Sequence, residues 1–148
     1  KPGEGNTVVM SDAYSSCTEG SVEAGTITFG DATITFEKND GNNAPMYYWN
    51  KTEAFRSVRM YAKNSMEMTA TKNIAKVVIN CAAPYSGTNY NGNDQMTTTA
   101  GTISKSADKL SVTIDGINSK SFTLANEYTA TTKGTQLRIV SMTITYAE

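Results

Sequence analysis

The chain contains no histidine. That absence removes the commonest general base, the usual partner of a serine or cysteine nucleophile, and the commonest transition-metal ligand. Cysteine is nearly as rare: Cys17 and Cys81 are the only two, and their spacing matches no zinc motif. Two readings of the pair stand, separate buried thiols or one disulfide of the kind that exported proteins carry. Long apolar runs are missing, so no stretch has the length of a membrane-spanning helix or the pattern of a signal peptide. Charge of one sign is missing too. Thirteen basic side chains face fourteen acidic ones, a net charge of −1. No basic stripe offers itself to phosphate backbones, so nucleic acid is not an expected partner. The carboxylates are scattered and form no acid pair. Hydrolysis by two carboxylates, the route open to an enzyme without histidine, therefore has no visible machinery, and the chain reads as a non-enzyme.

What is present is the material of a β protein. The 148 residues make one domain over 1–148, long enough to bury a core without metal or disulfide support. Residues 1–6 read as the remnant of a linker. Leucine is scarce, while threonine, asparagine, serine and glycine are abundant, which favours strands and turns. Residues 26–29 and 33–37 alternate, with Ile27, Phe29, Ile34 and Phe36 facing one way, and Gly30-Asp31 suits a tight hairpin between them. Residues 57–62 alternate again, and Met66 and Met68 resume the pattern after a turn at Lys63-Asn64. The apolar run 74–80 predicts a central strand covered on both faces. The polar stretch 82–106 reads as a long loop, functional or mobile, with some strand near 95–103. Leu110, Val112 and Ile114 alternate up to a turn at Asp115-Gly116, and Phe122 and Leu124 follow. Near the end, Leu137 and Ile139 share one parity while Val140, Met142, Ile144 and Tyr146 share the other, which predicts a bulge or a bend. A short helix beginning at Ser11 is the one helical signal. Eight to ten short strands with turns between them predict an all-β, antiparallel β-sandwich of jelly-roll type.

Five of the thirteen aromatic residues fall between Tyr47 and Tyr61, together with two of the three arginines. Rings beside guanidinium groups and amides suit a polar ligand with flat apolar faces, such as a sugar. Tyr47, Tyr48 and Trp49 cannot all face a core from a strand, because alternate residues point oppositely. Tyr48 is the expected exposed ring, with Tyr47 and Trp49 divided between the site and the plugging of the fold's end. Val58 and Met60 take the core face of their strand, so Arg59 and Tyr61 share the other. That face is either a binding platform or a solvated surface where Arg59 pairs with a carboxylate. Tyr85 and Tyr90 sit in a polar loop with the composition of binding loops, and Arg56 with the amides of Asn43, Asn50 and Asn64 completes the candidate ligand set. Asp94 with Asn91 and Asn93, Asp31, or Asp40 with Asn42 offer oxygens to calcium, but none matches a known calcium loop, so no cofactor is expected. Asn50-Lys51-Thr52 fits a glycosylation sequon, a triplet common by chance.

The runs APMYY (44–48), SVRMYAKNSMEMTA (57–70), IAKVVIN (74–80) and LRIVSMTITY (137–146) resemble a β-sandwich module of secreted and surface proteins of Bacteroidetes. Those modules carry patterns like P-x-Y-Y, V-R-x-Y and a terminal R-I-x-x-I-x-V-T-Y. The resemblance runs from Thr26 onward. Met66 and Met68 stand where the pattern has Leu and Ile, and residues 49–55 depart from it. In context such modules are similar to accessory carbohydrate-binding modules. The resemblance implies a secreted or cell-surface location, attachment to a larger enzyme or lipoprotein, and a polysaccharide or oligosaccharide partner. The second reading is a structural or adhesive module that binds protein or spaces domains.

Overall fold

The structure is a computed structural model that describes residues 5–147. Of the linker-like residues, 1–4 lie outside the described ones, whereas Gly5 and Asn6 begin a strand. In chain order the elements are β1 (Gly5–Val9), α1 (Met10–Ala13), β2 (Ser21–Glu23), β3 (Thr26–Phe29), β4 (Ala32–Glu37), β5 (Met46–Tyr48), a 3-10 turn (Glu53–Phe55) and β6 (Ser57–Met60). Then come β7 (Ser65–Cys81), β8 (Met96–Thr98), β9 (Thr102–Lys105), β10 (Ser111–Asn126) and β11 (Leu137–Tyr146). The all-β, antiparallel, single-domain expectation holds. Hydrogen bonding joins all eleven strands into one sheet ordered β2-β5-β6-β11-β7-β10-β8, with β1 on β11, β4 on β7, β3 on the outer edge of β4, and β9 on β10. Among the described residues no helix is long and apolar enough to cross a membrane.

Local chemistry explains most of these elements. The β3–β4 hairpin turns at Gly30-Asp31, with Phe29 paired to Ala32 and Gly30 at φ +54°. Glycine takes that conformation without a steric penalty. The predicted bulge in β11 is present as a register shift between Ile139 and Ser141. Two sequence expectations fail. The segments ending at Ala70 and starting at Ile74 fuse into the 17-residue β7, because residues 69–73 contain neither glycine nor proline. Asp115-Gly116 makes no hairpin either. It forms an irregularity with Gly116 at φ +70° and Asn118 at φ +49°, and β10 continues to Asn126. The predicted central strand lies between β11 and β10, but only one face is sealed. Val77 and Ile79 are buried, while Val78 is half-exposed.

The long strands serve both ends of the sheet. The first half of β7 pairs with β4 and the second half of β10, and its second half pairs with β11 and the first half of β10. Their inward residues merge into one core cluster. Methionine takes the place of the scarce leucine there: Met10, Met60, Met66, Met68 and Met142 are all fully buried. An unbranched, flexible side chain fills the irregular gaps that a bent sheet leaves. The short helix exists, but its N-cap is Val9 and no side chain caps it, so Ser11 lies inside the turn and not at its start. Both cysteines are free thiols. Burial pushes the Cys81 thiol up to about 12, which keeps it protonated and inert at neutral pH.

Candidate functional site

Three neighbouring strands set the floor of the site. Arg59 lies between buried Val58 and Met60 on β6, and Arg138 between buried Leu137 and Ile139 on β11. Alternation turns both side chains away from the core. The register places Arg59 directly opposite Arg138. On β5 the same alternation turns Tyr47 inward and Tyr48 outward. The Arg59 guanidinium lies 3.7 Å from the centroid of Tyr48, and that of Arg138 lies 3.9 Å from the centroid of Tyr90. The result is a row of ring, guanidinium, guanidinium and ring, each cation resting on an aromatic face.

The loop after β7 forms the opposite wall, and it is tied down by buried asparagine chemistry. Gln136 N–H donates to the Tyr90 carbonyl and Gly92 N–H to the Gln136 carbonyl, so the loop pairs with the chain just ahead of β11. Gly92 lies so close to the Gly134 carbonyl and the Tyr128 ring that a Cβ has no room. Asn91 is buried. Its Nδ2 donates to the Ala82 carbonyl at 2.9 Å, and its Oδ1 accepts the Arg138 N–H at 2.9 Å. At the tip, Tyr85 and Thr88 exchange both backbone hydrogen bonds around Ser86 (φ +49°) and Gly87 (φ +79°). Positive φ at both central residues is the type I′ turn. It presents Tyr85 at 45 % exposure, edge-on to Phe55 with centroids 5.2 Å apart.

Between wall and floor lies a cavity of about 260 Å³. Six of the eleven predicted ligand residues line it: Tyr48, Trp49, Asn50, Arg59, Tyr85 and Tyr90. Phe55, Ala82 and Arg138 complete it. No aspartate or glutamate lines it. Asn50 Oδ1 accepts from Thr52 N–H, and its carbonyl accepts from Arg56 Nε.

Five predicted residues lie elsewhere. Tyr47 is buried and stacked on Tyr14, with centroids 4.7 Å apart, so it is core. Asn64 is fully buried and works as a turn staple, its Oδ1 accepting Tyr61 N–H while its Nδ2 donates to the Lys38 and Asn43 carbonyls. Asn43 is likewise engaged in that staple. Arg56 lies 5.2 Å from the centroid of Trp49 and 3.9 Å from Glu53, lining a separate hollow with Cys17. Tyr61 is half-buried, and its hydroxyl donates to the Tyr48 hydroxyl at 3.2 Å, so it supports the site from behind. Burial raises the Tyr61 pKa, and the nearby Arg59 charge works the other way. Tyr48 needs correcting as the expected open ring, because Arg59 occupies one of its faces. Tyr85 has that role.

Arg138 is the residue that sequence reasoning passed over. The signal was there: an arginine between two core residues in an alternating strand, the argument already applied to Arg59. Burial, and then the like charge of Arg59, pull Arg138 down to about 10. It remains a cation at neutral pH.

Two of the three oxygen sets suggested for calcium are engaged within the chain. Asp94 is bridged by Lys105 at 3.1 Å and by Lys109, whose hydrogen bonds hold its carboxyl below the usual range. Asn91 is committed to Ala82 and Arg138, and Asp31 pairs with Lys72 at 3.3 Å.

A scan against protein-family models finds no match to the chain, and a search of curated proteins finds none either. The functional reading therefore rests on the site itself.

Proposed function

We propose that the chain is a non-catalytic carbohydrate-binding module that targets a larger secreted or cell-surface protein to polysaccharide. The observation that carries this reading is the cavity in which aromatic rings stand beside two guanidinium groups and the Asn50 side chain, with no carboxylate in the lining. Sugar rings offer C–H faces to Tyr85 and Trp49, and hydroxyl oxygens to the arginine donors. At about 260 Å³ the cavity is smaller than the roughly 300–1,000 Å³ of drug-sized sites, so it suits one ring of a glycan and not a long stretch. Affinity is then modest for one module and is raised by linkage to others.

Trp49 is the only tryptophan and lines the cavity, so its emission reports occupancy. Titration with a glycan panel is expected to shift that emission for at least one glycan. Tyr85→Ala is expected to weaken the same binding about tenfold, roughly 1.4 kcal/mol, with an unchanged melting temperature, because this ring projects from a turn. Silence of every glycan in titration and in affinity electrophoresis would remove the proposal. The second reading, a protein-binding adhesive module, is favoured by the exposure of Tyr85 at a turn tip, a residue type that dominates protein-recognition loops. Protein capture through Tyr85 without any sugar response would establish it.

A further inference from the structure

We infer that the cavity selects an acidic sugar, whose carboxylate is clamped by the Arg59 and Arg138 guanidinium groups. This inference rests on the glycan-binding reading and narrows it to a substrate class.

The argument begins with an arrangement that the fold alone does not favour. Arg59 and Arg138 are directly opposite on adjacent strands, and like charges in that position repel. Neither forms an ion pair among the described residues. The acids near other cations are engaged elsewhere: Glu53 with Arg56, Asp31 with Lys72, and Asp94 with Lys105 and Lys109. Arg138 is only 8 % exposed, and the one side-chain hydrogen bond it makes among the described residues runs from Nε to Gln136 Oε1 at 2.9 Å. The Nε of Arg59 is buried and has no partner. Buried cations are ordinarily paired, and an unpaired buried donor is unfavourable.

Burial, and after it the charge of Arg59, lowers the Arg138 pKa, in keeping with that geometry. Tyr48 and Tyr90 offset part of the unmet charge through their ring faces, but a ring face supplies no oxygen to accept the remaining N–H groups. A neutral hydroxyl accepts a hydrogen bond and leaves the repulsion in place. A carboxylate accepts two parallel bonds from a guanidinium and also neutralises charge. The sugar ring carrying it then falls among Trp49, Tyr85 and Phe55, which line the same cavity.

The test is a titration of the whole chain, read by Trp49 emission and by calorimetry. The probes are short oligomers of galacturonate, glucuronate and sialate, each beside its own methyl ester and a neutral oligosaccharide of the same length. The ester keeps ring and size and removes the charge. At least one acid is expected to bind about a hundredfold tighter than its ester, and that preference is expected to shrink as salt rises. Arg138→Gln is expected to abolish the preference, and Arg59→Gln to do so independently, so a folding defect in one variant leaves the other as the test. Equal binding of acid and ester overturns the acidic-sugar inference and leaves the glycan reading intact. Absence of binding by every sugar, acidic or neutral, overturns both. Preference for a sulfated oligosaccharide, or for a polyglutamate peptide over any sugar acid, overturns the assignment to a sugar carboxylate.

Discussion

Asn91→Ala is expected to destabilise the protein by about 2–4 kcal/mol and to eliminate the proposed glycan binding in the same variant. The residue is only 3 % exposed. Its side chain bridges the Ala82 carbonyl, the Asn89 side chain and the Arg138 N–H. Alanine leaves the carbonyl of Ala82 and the amide of Arg138 buried without those partners, at roughly 1–3 kcal/mol for each orphaned group. For a domain of this length each kcal/mol lowers the melting temperature by roughly 2–4 °C. Thermal melting followed by circular dichroism therefore has a large shift to detect. The binding loss has a separate cause. Asn91 joins the loop that carries Tyr85 and Tyr90 to the strand that carries Arg138, and without it wall and floor no longer hold a fixed spacing. A variant that melts like the parent chain, or that binds as well, would refute this account of the loop.

Asn126→Ala is expected to be at least as damaging to stability, by about 3–5 kcal/mol, the upper range for a single substitution. Asn126 is fully buried at the end of β10. Its Nδ2 donates to the Met60 carbonyl at 3.2 Å and the Thr135 carbonyl at 2.9 Å, and its Oδ1 accepts the Tyr128 N–H at 3.0 Å. Three groups from three segments thus lose a partner at one place. The neighbouring backbone bonds, Lys63 N–H to the Asn126 carbonyl and Asn126 N–H to the Asn64 carbonyl, do not depend on the side chain. The loss is therefore assigned to the amide group itself. Chemical denaturation with an unchanged slope and a lower midpoint is the expected signature. A midpoint within error of the parent would show that water satisfies these groups instead.

These two asparagines mark the limit of what the sequence discloses. Alternation is a local property, so the β3–β4 hairpin, the parity switch in β11 and the outward side of Arg59 were all readable from neighbours a few residues away. Asn91 and Asn126 look like any loop amide in a chain rich in them. What distinguishes them is a partner far off in sequence, such as Arg138 for Asn91 or Met60 for Asn126. The same holds for Tyr48. Its aromatic neighbours predicted an exposed ring, but the pairing of β5 with β6 lays Arg59 across it. Tyr47 and Trp49 were separable only in part by parity, and the stacking of Tyr14 on Tyr47 decided the former. The second guanidinium was legible and was missed because the arginine pair is 79 positions apart and meets only through strand register.

The position of β11 also has a consequence for the order in which the molecule is made. This strand is the last of the described ones, yet it is the sole strand partner of β1 and a flanking partner of both β6 and β7. During synthesis β1 emerges early and waits for residues more than a hundred positions later. Until then the nascent chain carries unpaired strand edges, the surfaces on which misassembly begins. Non-local pairing of this kind is also what makes sheet proteins slow to fold. Because Arg138 and its anchoring bond belong to the same late strand, the proposed site stays incomplete until the sheet has closed. A nascent chain ending at Gln136 lacks Arg138 and is accordingly expected to show none of the proposed ligand binding.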